Sequence, residues 1–270
     1  MWQNLLLAFG LSLLIVGLAY WRNSLASSGA VAALLVGTLT FGLGGWVWGI
    51  LLGIFFVSSS GLSHFKEEQK QQVAEEKFDK SHRRDAGQVL ANGGAGMLLA
   101  VASFLWPSPI WVYLFVGTMA TVTADTWATE LGTLSQRPPR LITNGKRVEV
   151  GTSGGVSRLG TAVSLSGGLL IGVVAALLLP WQNVTTAMGL ILAGAIGGLS
   201  GSLFDSLLGA TVQQIYYCPH CQKETERKIH RCGHTTHFLR GWRWLNNDGV
   251  NFTASVVGGV VAGLIGWLLL

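Results

Sequence analysis

The sequence predicts an all-α, polytopic transmembrane helix bundle of about eight spans, with a small Cys/His insert on its charged face. Three observations carry this. Half of the 270 residues are hydrophobic and only 11% are charged, against about 25% in a typical soluble domain. So few charges cannot cover a water-exposed globule of this size. Apolar runs close to the roughly 20 residues that a span requires recur along the chain. All 18 Lys and Arg fall in every second connection between those runs. The apolar fraction excludes disorder, and the 37 glycines follow no Gly-X-Y period, which excludes collagen. Small residues instead let helices approach closely.

The spans, in order, are Leu5–Tyr20, Gly29–Phe41, Trp46–Ser63, Ala86–Trp106, Pro109–Leu131, Thr161–Leu179, Thr185–Thr211 and Val250–Leu270. Met1–Tyr20 has neither a basic n-region nor an Ala-x-Ala site, and reads as a retained helix. The second run is short, and its border with the third is the least sharply defined. Arg22 follows the first span; Lys66, Lys70, Lys77, Lys80, Arg83 and Arg84 follow the third. Arg137, Arg140, Lys146, Arg147 and Arg158 follow the fifth, and Lys223, Arg227, Lys228, Arg231, Arg240 and Arg243 follow the seventh. The opposite connections, Gly42–Gly45, Pro107–Ser108 and Pro180–Val184, carry none. By the positive-inside rule the charged side is cytoplasmic and both termini face out. Trp2, Trp46, Trp48, Trp106, Trp111, Trp181 and Trp267 fall near the outer boundary, and Trp21, Trp127, Trp242 and Trp244 near the inner one, as an aromatic belt requires.

Three connections stand out within the single membrane domain, 1–270. The charged stretch 64–85 reads as a helix running into water, with Glu76 and Lys80 paired at i,i+4. The loop 132–160 holds Asn144-Gly145, a tight-turn signal between Leu141-Ile142 and Val148-Glu149-Val150, so a small hairpin is expected. It then runs through Gly151-Thr152-Ser153-Gly154-Gly155 into the sixth helix, where free amides and a helix start would favour an anion. The insert 215–245 holds Cys218-Pro219-His220-Cys221 and, further on, Cys232-Gly233-His234. An odd total of three cysteines with a CxxC argues for a metal or free thiols rather than a disulfide framework. The spacing predicts a structural Zn²⁺ site of Cys218, Cys221, Cys232 and His234, with His230 or His237 as substitutes.

Carboxylates within spans are costly and mark function. Asp125 and Glu130 lie in the inner part of the fifth span, and Asp205 in the inner part of the seventh. Asp85 opens the fourth span, with Gln88 and Asn92 on its face; Asp248 opens the eighth, with Asn247 and Asn251 near it. For Asp85 and Asp248 a helix cap is as good a reading as a functional one. Four acids at one depth on one side repel unless protonated or bridged by cations. Amide oxygens from Asn92, Asn247 and Asn251 complete a hard-oxygen set suited to Mg²⁺, and nearby basic residues suit a polyphosphate.

Asp125-Thr-Trp-Ala-Thr-Glu130, Pro139-Arg140-Leu-Ile-Thr143 with Gly151–Gly155, Leu203-Phe-Asp205-Ser-Leu-Leu-Gly209 and Asn246-Asn-Asp-Gly-Val-Asn251 resemble the phytyl-phosphate kinase family of integral membrane proteins. Arg83-Arg84-Asp85 through Asn92-Gly-Gly94 fits the same pattern. The resemblance covers most of the chain, and is more distant to phytol and dolichol kinases. It implies phosphoryl transfer from a nucleoside triphosphate, CTP in the known plant activity, to an isoprenoid monophosphate. The partners implied are that lipid phosphate, the nucleotide and membrane lipids, with no nucleic acid. The insert has no implied catalytic role.

The expected mechanism places Mg²⁺ on Asp125 and Asp205, assisted by Asp85 and Asp248. Arg84, Arg140, Lys146 and the backbone of Gly151, Thr152, Gly154 and Gly155 would neutralise the phosphates. Glu130, Asn92, Asn247 and Asn251 would line the nucleotide side. No histidine lies in a predicted span, which favours an ionised phosphate acceptor over an alcohol needing a base. Alternatives are a polyprenol or phytol kinase, a CTP-dependent cytidylyltransferase, and, from another class, a cation or lipid transporter. A transporter would spread polar groups through the full depth, whereas here the outer halves of the spans are nearly featureless.

Overall fold

Eight long helices traverse the molecule among the described residues of the computed structural model, which are 2–66, 69–70, 73, 76–78, 83–179 and 184–270. They are α1 (Trp2–Trp21), α2 (Ser27–Gly44), α3 (Trp46–His64), α4 (Ala86–Leu105), α5 (Ile110–Gly132), α6 (Arg158–Leu178), α7 (Val184–Thr211) and α8 (Asn247–Leu269). Each matches a predicted span to within a few residues. The border between the second and third lies at Gly45, whose φ of 91° breaks the helix where a side chain would be strained. Helix α2 therefore reaches 18 residues, longer than its apolar run suggests.

Seven of the eight helices are long and apolar enough to cross a membrane; α5 is the exception. The reason is position. Helix α5 is central, packed against α3, α4, α6, α7 and α8, and every residue from Phe115 to Ala124 is buried. A helix screened from lipid can carry hydroxyls, provided they are satisfied. Thr121 Oγ1 donates to Gly117 O at 2.9 Å and Thr123 Oγ1 to Met119 O at 2.7 Å. Glycines let α5, α7 and α8 touch: a Cβ at Gly117 would lie 2.5 Å from Gly258 O, and one at Gly197 2.8 Å from the same oxygen. Helix α1, by contrast, packs chiefly on α2 and exposes Leu6, Leu7, Leu14 and Leu18, as a lipid-facing helix does.

The basic connections converge on one face. Arg84 N–H donates to Ser24 O, and Ala26 N–H to Arg84 O, joining the first connection to the second. Glu226 N–H donates to Lys77 O at 2.9 Å, and Gly154 abuts Ala210 so closely that a Cβ would meet its backbone at 2.6 Å. Ten of the 22 residues of the charged helix expected over 64–85, with Lys80 of the Glu76–Lys80 pair among them, lie outside the described residues, as does Trp181.

Two small sheets complete this face. Strands β1 (Arg140–Leu141) and β2 (Gly155–Val156) pair antiparallel. The Asn144-Gly145 turn forms, with Gly145 at φ 69° and Leu141 N–H donating to Lys146 O at 2.8 Å. Only Arg147 bridges back to Arg140, however, so the strand partner of β1 is the end of the glycine run. That run does not open the helix as expected: Ser157 is the N-cap of α6, its Oγ accepting from Gly160 N–H at 3.0 Å. In the insert, β3 (Ile215–Cys218) is the centre of an antiparallel sheet flanked by β4 (Lys223–Thr225) and β5 (His237–Arg240).

Candidate functional site: an acid-lined cavity joined to an apolar groove

Beneath the charged face lies a cavity of about 820 Å³. Helices α4–α8, the 150–157 loop and the 226–229 segment of the insert wall it. Asp125 of α5 and Asp205 of α7 both line it. A hydroxyl relay ties the three helices behind them together. Ser164 Oγ on α6 donates to Ser202 Oγ at 2.8 Å, and Ser202 Oγ donates to Asp125 Oδ1 at 3.3 Å. Ser202 is one helical turn before Asp205, so the same face of α7 presents both. Asp205 Oδ2 is buried and has no hydrogen-bond partner among the described residues. An unsatisfied buried carboxylate oxygen is expensive, and marks a place where a cation or ligand donor belongs.

Several predicted residues meet here. Arg84, Asn92, Glu130, Asn247, Asp248, Asn251, Gly151, Thr152, Gly154 and Gly155 all line the cavity. Others do not. Asp85 is the N-cap of α4 in a full capping box, accepting from Gln88 N–H at 2.9 Å while Gln88 Oε1 accepts from its own N–H at 3.2 Å. It is not among the lining residues, so the cap reading prevails. Asp248 is not a cap: Asn246 Oδ1 accepts from Gly249 N–H at 3.1 Å, and Asp248 stands in the first turn. Arg140 donates to Gly145 O at 2.8 Å within its own hairpin and is exposed, as is Lys146; neither lines the cavity. The glycine loop is only partly available, since Thr152 N–H donates to Glu149 O and Gly155 N–H to Thr152 O. Gly151 and Gly154 have φ of 82° and 84°, so the turn itself demands glycine.

The cations that do line the cavity, besides Arg84, are Lys70, Arg227 and Lys228. Lys70 belongs to the charged stretch 64–85 and Arg227 and Lys228 to the Cys/His insert, and no local pattern in the sequence marks any of them as cavity residues. Lys70 folds back into the protein, donating to Leu62 O at 2.7 Å and to Ser63 O at 3.0 Å and pairing with Glu130. Ser63 Oγ also donates to Glu130 Oε1 at 2.6 Å. Glu130 is thus committed to a structural ion pair.

A second cavity, about 770 Å³ and almost wholly apolar, runs among α1–α4. Its lining on α3 extends from Trp46 to Ser58, about 18 Å at the helical rise. It shares Arg84, Gln88 and Asn92 with the first. Arg84 stands at the junction, its guanidinium 5.6 Å from the Phe55 ring centre and 5.5 Å from that of Phe56. Its Nη1 is buried without a hydrogen-bond partner among the described residues. Burial lowers its pKa to about 10, opposed by Glu130, so it stays cationic at neutral pH.

The Cys/His residues cluster apart from both cavities. Cys218, Cys221, His230 and Cys232 bring four ligand atoms within 4.8 Å of one another. His230, buried, therefore takes the place expected for His234, which is exposed, stacks on His220 with ring centres 4.2 Å apart, and groups only with His220 and Cys232. His237 lies exposed on β5.

A polytopic all-α membrane protein with acids from separate helices facing one polar cavity is the class that fold and site define. The chain belongs to the integral membrane protein family DUF92, whose model matches residues 10–259. It is 35% identical to Protein PGR of Arabidopsis thaliana over 272 residues, covering 93% of this chain and 92% of that protein. An uncharacterised membrane protein of Methanocaldococcus jannaschii is 32% identical over 244 residues, covering 89% and 85%. Protein VTE6, chloroplastic, of Arabidopsis thaliana is 29% identical over 262 residues, covering 94% and 69%. These relatives support the resemblance to a phytyl-phosphate kinase-like family. No solved structure gives a significant match.

Proposed function

We propose that this protein phosphorylates an isoprenoid monophosphate to the diphosphate, with CTP as donor. The observation that carries the reading is the meeting of the two cavities at Arg84, Gln88 and Asn92. An amphiphile with an anionic head and a single apolar tail matches that shape: the tail in the groove among α1–α4, the head at Arg84, and the nucleotide beyond it. The relationship to Protein VTE6 supports the same substrate class. The positive-inside rule puts this face on the cytoplasmic side, with both termini outside.

The unsatisfied Oδ2 of Asp205, the Asp125 carboxylate and the neighbouring amide oxygens suit a hard divalent cation. Asp125 and Asp205 would hold Mg²⁺, which would neutralise charge developing on the nucleotide phosphates. Arg84, Arg227 and Lys228 would neutralise the rest. In the transfer, an oxygen of the acceptor phosphate forms a bond to the γ-phosphorus. The bond from that phosphorus to the β,γ-bridging oxygen breaks, and CDP leaves. A phosphate monoester is largely dianionic at neutral pH, with a second pKa of about 6, so no proton need be removed. Among the described residues no histidine lines the cavity, in keeping with this. Orientation and charge neutralisation then supply most of the rate.

The test is incubation of purified protein with labelled CTP, Mg²⁺ and phytyl, farnesyl or geranylgeranyl monophosphate. The expected products are CDP and the prenyl diphosphate. Release of pyrophosphate would establish a cytidylyltransferase, and phosphorylation of the free alcohol alone a prenol kinase. Arg84→Gln should lower kcat/KM about 10–100-fold, the scale of one charge-assisted contact, chiefly through a raised KM for the lipid.

A further inference from the structure

We infer that Cys218, Cys221, His230 and Cys232 form a tetrahedral Zn²⁺ site, and that the bound ion holds the 226–229 segment in place as a wall of the polar cavity. The ligands come from two hydrogen-bonded turns facing each other. In the first, Gln222 N–H donates to Cys218 O at 2.8 Å and Gln222 takes a φ of 55°, which aims the CxxC thiols the same way. In the second, Gly233 N–H donates to His230 O at 2.9 Å and His230 N–H to His234 O at 3.0 Å, presenting His230 and Cys232.

The spacing of the donor atoms fits coordination. Zn–S bonds of about 2.3 Å and Zn–N bonds of about 2.0–2.1 Å set tetrahedral edges of about 3.8 Å between sulfurs and about 3.6 Å between nitrogen and sulfur. Cys218 Sγ and Cys232 Sγ are 3.7 Å apart, and His230 Nδ1 is 3.3 Å from Cys232 Sγ. Cys218 and His230 are 0% and 2% exposed. The insert is too short to bury such groups in a core of its own. Three thiolates and one imidazole leave no open position and select a soft or borderline ion, so the role is structural.

The link to the cavity is direct. Residues 226–229 lead from β4 to His230, and all four line the cavity. Glu226 Oε1 accepts from Gln213 Nε2 at 2.8 Å and from Ser153 Oγ at 3.3 Å. Thr236 Oγ1 donates to the carbonyls of Arg227 and Lys228 at 2.7 and 2.9 Å. A segment of so few residues, anchored at one end by the metal, presents Arg227 and Lys228 to whatever the cavity binds. This holds whether or not the cavity binds CTP.

The experiment uses the full-length protein in detergent. Elemental analysis should find about one zinc per chain, and Co²⁺ exchanged into the same protein should give the intense visible bands of a tetrahedral thiolate site. Zinc should fall to background in Cys221→Ser and His230→Ala, and stay at wild-type level in His234→Ala. Chelation of the wild-type protein should expose the 215–245 segment to protease. Absence of zinc together with an octahedral Co²⁺ spectrum would overturn the site. Loss of zinc in His234→Ala but not in His230→Ala would overturn the ligand set. Unchanged protease resistance after full zinc removal would overturn the link to the cavity wall. Should the Cys221 or His230 variants fail to fold, the wild-type Co²⁺ spectrum and exposed His234→Ala still decide the first two points.

Discussion

Two sets of acidic side chains near the charged face differ in how they are partnered. Glu130 is engaged by Lys70, Glu149 by Lys77, and Glu76 by both Lys223 and Arg231. Asp125 and Asp205 have no Lys or Arg partner among the described residues; the first accepts only from Ser202, and Oδ2 of the second from nothing. The first group joins connections to helices. The second lies inside the helix bundle, where an unpaired carboxylate is costliest. That contrast separates acids engaged by basic side chains from acids left without a cationic partner among the described residues, and proximity to the cavity alone would not, because Glu130 lines it too.

The largest effects should follow the unpaired group. Asp125→Asn and Asp205→Asn are expected to cut phosphoryl transfer by about 10²–10³-fold, the scale of losing a principal electrostatic stabiliser. Thermal stability should hold or rise, since burying an amide costs less than burying an unpaired charge. Wild-type-like turnover in both would break the comparison at its functional end. Glu130→Gln should do the reverse. It strands Lys70, 8% exposed, and should destabilise by about 2–4 kcal/mol. This is toward the low side of a broken buried pair because Lys70 keeps two carbonyl acceptors. Denaturation of the detergent-solubilised variant measures this. Folded Glu130→Gln protein should retain most of its turnover, and inactivity at full stability would move Glu130 into the second group.

Span positions were legible because hydropathy depends only on local composition, and Asp125 and Asp205 because a carboxylate in an apolar run has few structural excuses. Where side chains meet across connections, the sequence was silent. Arg140 and Lys146 flank the Asn144-Gly145 turn and looked poised for phosphate, but the turn directs Arg140 back onto Gly145 O. Lys70, Arg227 and Lys228 carry no pattern that distinguishes them from solvated charges; Lys70 is brought in by its bonds to Leu62 O and Ser63 O, and Arg227 and Lys228 by the insert that leads to His230. The fourth Cys/His ligand was ambiguous for a simple reason. His230 and His234 are each two residues from Cys232, one before and one after, and only the turn at Gly233, φ 83°, selects between them.

The smallest predicted effect concerns the paired acids and pH. Hydrogen bonding to Lys223 holds the Glu76 carboxyl below the usual carboxylate range, and Lys77 does the same for Glu149. A lowered folded-state pKa contributes stability that is present above the unfolded value and lost as pH falls through the folded one. Acidification should therefore loosen the 223–231 segment from 76–78 while the helices persist. Glu76, at 13% side-chain exposure, should matter more than Glu149, at 64%, where solvent screens the pair. Amide exchange across 215–245, followed through the acid range with zinc content monitored in parallel, checks this. Thiolate ligands also protonate in acid and would release the insert by another route. The arms separate cleanly: Glu76→Gln should flatten the part of the pH dependence that precedes metal loss, and Glu149→Gln should leave it nearly intact. A wild-type profile that moves only with zinc release would show that the glutamates contribute nothing to the pH dependence of docking.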